Sequence, residues 1–216
     1  MRTTALKLPI RAVPQSDDCG CGYFALSAVY KYYGLSPRAL RLRALLGTDH
    51  VTPYGLPDGL RKQIAARFAG MKGTLPHDIF AVLCRHGFQT RIAPSDYAAF
   101  RPSLRLNLLH GHPALALVDG VAHWVVVSGI DPDGVWIVDS CEYEDENEVC
   151  RHTYHLSDTE YQDRRTGEIL ITRRKNVGER PMAEADFARE YLRATRFCAQ
   201  ALGGKIGSAL RRLIGR

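Results

Sequence analysis

Residues 15 to 34, QSDDCGCGYFALSAVYKYYG, carry two cysteines separated by a single glycine, immediately ahead of an unbroken apolar-periodic run. A cysteine does chemistry as its thiolate, and a free thiol with a pKa of about 8.5 is mostly protonated at neutral pH. The N-terminus of a helix favours the anion, because its first N–H groups lack intrahelical acceptors and the helix dipole is positive there. Phe24, Ala25, Ala28, Val29 and Tyr32 recur at helical spacing, so a helix is predicted to begin at Cys21 and to stop at Gly34. Cys19 lies two residues earlier, in the polar turn SDDCG. Position favours Cys21 as the nucleophile.

A nucleophilic cysteine needs a base, and the base needs a group that orients it. His123 opens the β-rich run HWVVVSGI and Asp139 lies near the end of GVWIVDS, with the turn DPDG between them. A hairpin of that form sets the start of one strand beside the end of the next, which brings His123 and Asp139 together. The plain alternative is a structural histidine at a strand start, with Cys19 and Cys21 as core thiols.

The elements that must hold these groups change character halfway along the chain. The first half reads as helical: the Cys21 run, then SPRALRLRALLG with Ser36 as N-cap and Gly47 as stop, LPDGLRKQIAARFAG, and TLPHDIFAVLCRHGF closed by Gly87. The second half reads as short strands, PALALV, HWVVVSGI, GVWIVDS and, after a gap, GEILITRR. Helices first and an antiparallel sheet second predict an α+β domain over residues 1–174. A basic amphipathic helical tail is expected over residues 175–216.

These segments resemble those of the double-glycine leader peptidases, papain-like cysteine peptidases that process bacteriocin precursors. In that family a glutamine stands six residues before the catalytic cysteine, glycine follows it, leucine comes five residues later, and the helix closes in Tyr-Tyr-Gly or similar. Counted from Cys21, Gln15, Gly22, Leu26 and Tyr32-Tyr33-Gly34 all fall in place. Counted from Cys19, the glutamine and the helix end are displaced by two. One feature points the other way: the family usually has aspartate before the cysteine, and Asp18 precedes Cys19 whereas Gly20 precedes Cys21. HWVVVSGIDPDGVWIVDS resembles the family's histidine strand, turn and Asp-Pro strand, with Ser140 in place of proline. LSDTEYQDRRTGEILIT resembles its closing segment, with Tyr161 and Arg165 where phenylalanine and tryptophan are usual.

The resemblance covers residues 9 to 174. It implies Cys21 as nucleophile, His123 as base, Asp139 as orienter and Gln15 as oxyanion donor, with a peptide substrate cut after Gly-Gly and no cofactor. The same triad would also serve an acyltransferase or a deamidase, and a non-catalytic peptide-binding relative is the third alternative.

Bulk properties narrow the context. No run approaches 18 consecutive apolar residues, so no transmembrane helix is expected, and MRTTALKLPIRAV has no apolar signal region. Reduced thiols in the cytoplasm are therefore expected. The six cysteines and the pairs His110/His112 and His152/His155 match no common zinc spacing. Residues 175–216 hold nine Lys/Arg against four Asp/Glu and so carry +5 of the net +6, which leaves the domain near neutral and argues against nucleic acid as its partner. Packing on the domain is the first expectation for the tail, peripheral contact with an anionic membrane the second. A third is that its Leu202-Gly203-Gly204 imitates a leader in the chain's own cleft. CEYEDENEVC, after Asp139, reads as a solvated acidic loop.

Overall fold

The computed structural model describes residues 4–46, 73–120, 123–144 and 150–174. The predicted helix LPDGLRKQIAARFAG and the whole 175–216 tail lie outside the described residues. Along the chain run β1 (Leu6–Lys7), α1 (Cys21–Tyr32), α2 (Leu42–Leu46), α3 (Pro76–Arg85), β2 (Phe88–Ile92), α4 (Tyr97–Leu109), β3 (Ala114–Val118), β4 (His123–Ile130), β5 (Gly134–Glu144), β6 (Cys150–Ser157), α5 (Asp158–Arg164) and β7 (Arg165–Arg174).

The strands form one antiparallel sheet in the order β2-β7-β3-β4-β5-β6, with β1 paired to β4. Both faces of the sheet are covered. Leu115, Leu117, Trp124, Val126, Val138, Ile169 and Ile171 pack against α1, α2 and α3. Ala114, Ala116, Val118, Val125, Val127, Val135, Ile137 and Leu170 pack with Phe100, Leu104 and Leu108 of α4 and Tyr161 of α5. Successive residues thus serve opposite layers, as the period of two in a strand requires. This explains why PALALV and HWVVV are continuously apolar and not alternating: neither face meets water.

Local chemistry sets the element ends. Gly34 adopts φ +71°, and Leu35 donates back to the Tyr30 carbonyl at 2.8 Å, which closes α1 as predicted. The second predicted helix is shorter than expected. Ser36 Oγ accepts from the Ala39 N–H at 3.2 Å as an N-cap would, but Arg41 takes φ 52° and breaks the segment, so only Leu42–Leu46 is α-helical. α3 begins at Pro76, within the expected TLPHDIFAVLCRHGF segment, with the Asp78 carboxylate accepting from the Leu75 N–H at 3.2 Å.

The sequence pattern does not anticipate α4. Asp96 caps it by accepting from the Ala99 N–H at 2.9 Å, and Asn107 ties its far end to the sheet by donating to the carbonyls of His112, Pro113 and Ile171. Arg165, where the resemblance leads one to expect tryptophan, grips the fully buried Glu168 through two short contacts and stacks over Phe100 at 4.7 Å. Tyr161 donates to the same carboxylate at 2.9 Å, so a satisfied polar network stands where an aromatic was expected.

Candidate active site

Cys21 is the first residue of α1, with Gly20 as its N-cap, and only 8% of it is exposed. The loop before it is folded back on itself. Asp17 accepts from the Cys19 N–H at 3.2 Å and pairs with Arg43 at 2.5 Å. A side chain at position 20 would meet Asp17 at 2.5 Å and Phe24 at 2.8 Å. An aspartate there would have to displace the Asp17 carboxylate and the edge of the Phe24 ring, so glycine suits this local packing. Gly22 is equally constrained, since a β-carbon would fall 2.6 Å from Thr74. Thr74 is held in turn by the buried Trp124 indole, which donates to its carbonyl at 2.8 Å. Burying a ring of this size contributes roughly 1.5–3 kcal/mol, enough to fix the loop against the start of α1.

His123 and Asp139 come from adjacent strands. The register of β4 and β5 pairs Val126 with Val138 and Val127 with Ile137. Asp139 continues the row of Val135 and Ile137, while His123 continues that of Val125 and Val127, so both lie toward one end of the sheet. His123 Nε2 stands 2.6 Å from Asp139 Oδ1, and the imidazole also hydrogen-bonds with Cys21. Burial, the largest single influence, disfavours charge on the ring. The hydrogen bonds and negative charge of Asp139 and Cys21 outweigh it together and raise the His123 pKa to about 10. The imidazolium is therefore the resting form at neutral pH.

Asp139 is itself oriented. It accepts from the Cys141 N–H at 2.9 Å and from the Tyr154 hydroxyl at 3.0 Å, and it is 5% exposed. Burial and then the Asp139 charge push the Tyr154 hydroxyl well above its ordinary range, so it serves as a fixed donor. Gln15 closes the site from the other side. Its N–H donates to the Ser140 carbonyl at 2.8 Å, and its Oε1 accepts from Ser140 Oγ at 3.1 Å and from the Cys141 thiol at 3.5 Å. One hydrogen of its amide goes to the Asp17 carbonyl, the amide carrying two.

The structure thus joins Cys21, His123 and Asp139 by hydrogen bonds where the N-terminus of α1 meets the start of β4 and the middle of β5, and it holds Gln15 against Ser140 and Cys141, the two residues after Asp139. Cys19 is half-buried in the loop outside α1. Sequence reasoning missed Tyr154 and Cys141. The signal for Tyr154 is its pairing opposite Ile137, one alternation before Asp139. Cys141 was missed because β5 runs on to Glu144, beyond the expected strand end. Cys19, Cys21 and Cys141 are free thiols. Among the described residues no helix is long and apolar enough to cross a membrane.

No protein-family model matches the sequence, and no curated protein matches it. Solved structures do. A double glycine motif protease from an AMS/PCAT transporter, crystallised in complex with the leader peptide, superposes with a TM-score of 0.51 at 14% identity, covering 81% of this chain and 98% of its own. The peptidase domain of Streptococcus ComA, a bi-functional ABC transporter involved in a quorum-sensing pathway, is 23% identical over 76% of this chain and 99% of its own, with a TM-score of 0.49. From the first, together with an antiparallel sheet packed by helices and a cysteine at a helix start facing the sheet's histidine, the chain has the fold of the double-glycine motif protease domain.

Proposed function

We propose that the chain is a papain-like cysteine peptidase of the double-glycine leader type, hydrolysing a specific peptide after a Gly-Gly pair. One observation carries the reading: Cys21, His123 and Asp139 form a continuous chain of hydrogen bonds at the start of α1, in a protein of this fold. Cys21 attacks the scissile carbonyl as thiolate. His123, its Nε2 held by Asp139, uses the other ring nitrogen to exchange a proton with the sulfur, then donates that proton to the leaving amine. A water activated by the same imidazole hydrolyses the thioester.

Gln15 and the Cys21 N–H are the proposed oxyanion donors. Gln15 is supported by its anchoring to Ser140 and Cys141, next to Asp139 on β5, and to the Asp17 carbonyl in the loop that leads into α1.

The test is a synthetic peptide with an apolar helical leader ending in Gly-Gly and followed by cargo, analysed by mass after incubation. Cleavage after the second glycine is expected, with water and not an added amine as the main acceptor. Transfer to the amine as the dominant product would move the assignment to an acyltransferase. Binding without turnover would make the chain a non-catalytic relative.

A further inference from the structure

The site holds a second thiol that the proposed reaction does not use. Cys141 lies on β5 two residues past Asp139, which contacts His123 at the start of β4. The metal-ligating atoms of His123, Asp139 and Cys141 all lie within 4.8 Å of one another. Cys141 is exposed, so a solute can reach it, while Asp139 is already desolvated. The charged and titratable groups around the cluster include Cys21, bonded to the imidazole, Tyr154, whose hydroxyl donates to Asp139 at 3.0 Å, Asp119, whose charge interacts with that of His123, His152, whose Nδ1 lies 3.2 Å from the Asp139 carbonyl oxygen, and Glu142, 3.8 Å from the other nitrogen of His152.

We propose that His123, Asp139 and Cys141 form a binding site for a thiophilic divalent cation of the Zn²⁺ type, and that occupancy of this site reversibly switches the enzyme off. Thiolate, imidazole and carboxylate together select zinc-like ions over magnesium and calcium. Around tetrahedral zinc, with bonds of about 2.0–2.3 Å, ligand atoms stand roughly 3.3–3.8 Å apart. The cluster reaches that geometry if the thiol draws in by about 1 Å and the His123–Asp139 contact opens slightly. Three protein ligands leave a fourth position for water. The sequence hides the site because its residues are brought together across two strands and not by a local spacing. Binding takes the very ring nitrogen and carboxylate that orient the base. Only this inhibitory consequence rests on the peptidase reading; the cation site itself does not.

The experiment therefore separates the two. Full-length Cys21→Ala protein is titrated with Co²⁺, and a thiolate-to-cobalt charge-transfer band is expected, displaced by Zn²⁺ and lost in Cys21→Ala/Cys141→Ser. Serine keeps a hydroxyl donor for Gln15, and circular dichroism checks that each variant is folded. In unmodified protein Zn²⁺ should slow alkylation of Cys141 more than that of Cys19, a readout that needs no variant. In the peptidase assay the half-inhibitory Zn²⁺ concentration should rise at least about tenfold in Cys141→Ser, since losing a ligand costs no less than losing its supporting partner. A cobalt band indifferent to Cys141→Ser, or equal alkylation rates with and without zinc, overturns the site. Cation binding without inhibition overturns the switch alone.

Discussion

Asp139→Asn keeps the shape of the side chain and removes its charge. The consequence can be worked from the 2.6 Å contact with His123 Nε2. A hydrogen bond to a charged group contributes about 1.5–3 kcal/mol, and one pKa unit corresponds to about 1.4 kcal/mol, so the imidazolium loses on the order of one to two units of stabilisation. The sign follows from the starting point. Asp139 and Cys21 hold the His123 pKa up at about 10, and weakening one of them lets it fall toward its ordinary value. The active thiolate–imidazolium pair is lost as pH rises through that value, so the alkaline limb of kcat/KM should move down by about one to two units. The assay is kcat/KM for a Gly-Gly peptide from neutral to strongly alkaline pH. It is paired with thermal melting, because the introduced amide has one acceptor oxygen where Asp139 uses one oxygen for the Cys141 N–H and the other for the Tyr154 hydroxyl. A folded variant whose alkaline limb coincides with that of the parent would refute the reasoning, for then Asp139 does not set the charge of the ring.

Gln15→Ala should lower kcat by on the order of a hundredfold or more while the protein melts normally, as expected for loss of one oxyanion donor; unchanged kcat would remove Gln15 from the site. Gly22→Ala forces a β-carbon to 2.6 Å from Thr74 and should destabilise the fold by roughly 1–3 kcal/mol, read from denaturant midpoints. Glu168→Ala leaves Arg165 buried without its bidentate partner and should cost about 3–5 kcal/mol, with a loss under about 1 kcal/mol counting against the network.

The parts of the site legible in the sequence are those set by short-range chemistry. The start of α1 follows from helical periodicity after Cys21 and from a glycine that permits φ +71° at its end. The β4–β5 hairpin follows from its turn, where the Asp131 carboxylate accepts from the N–H groups of Asp133 at 3.0 Å and Gly134 at 2.9 Å and so fixes the register that delivers His123 to Asp139. What was hidden depends on tertiary context. α4 carries Pro102 in its interior, which reads as a break, yet burial of Phe100, Leu104 and Leu108 holds the helix together. β6 follows an acidic run that reads as loop, and α5, though opened by Ser157 and Glu160 in a capping box, is only two turns long. Arg41 in the left-handed region could not be foreseen from a segment with ordinary helix formers.

The central claim is that Cys21, and not Cys19, is the nucleophile of a Cys-His-Asp peptidase. Labelling by a limiting amount of a thiol-alkylating reagent, mapped by peptide mass and followed alongside activity toward the Gly-Gly peptide, tests it most directly. Cys21 should be modified first, with activity falling in step; Cys21→Ala should be inactive, and Cys19→Ala should retain most of its turnover. Modification of Cys19 ahead of Cys21, together with turnover that survives in Cys21→Ala, would contradict it.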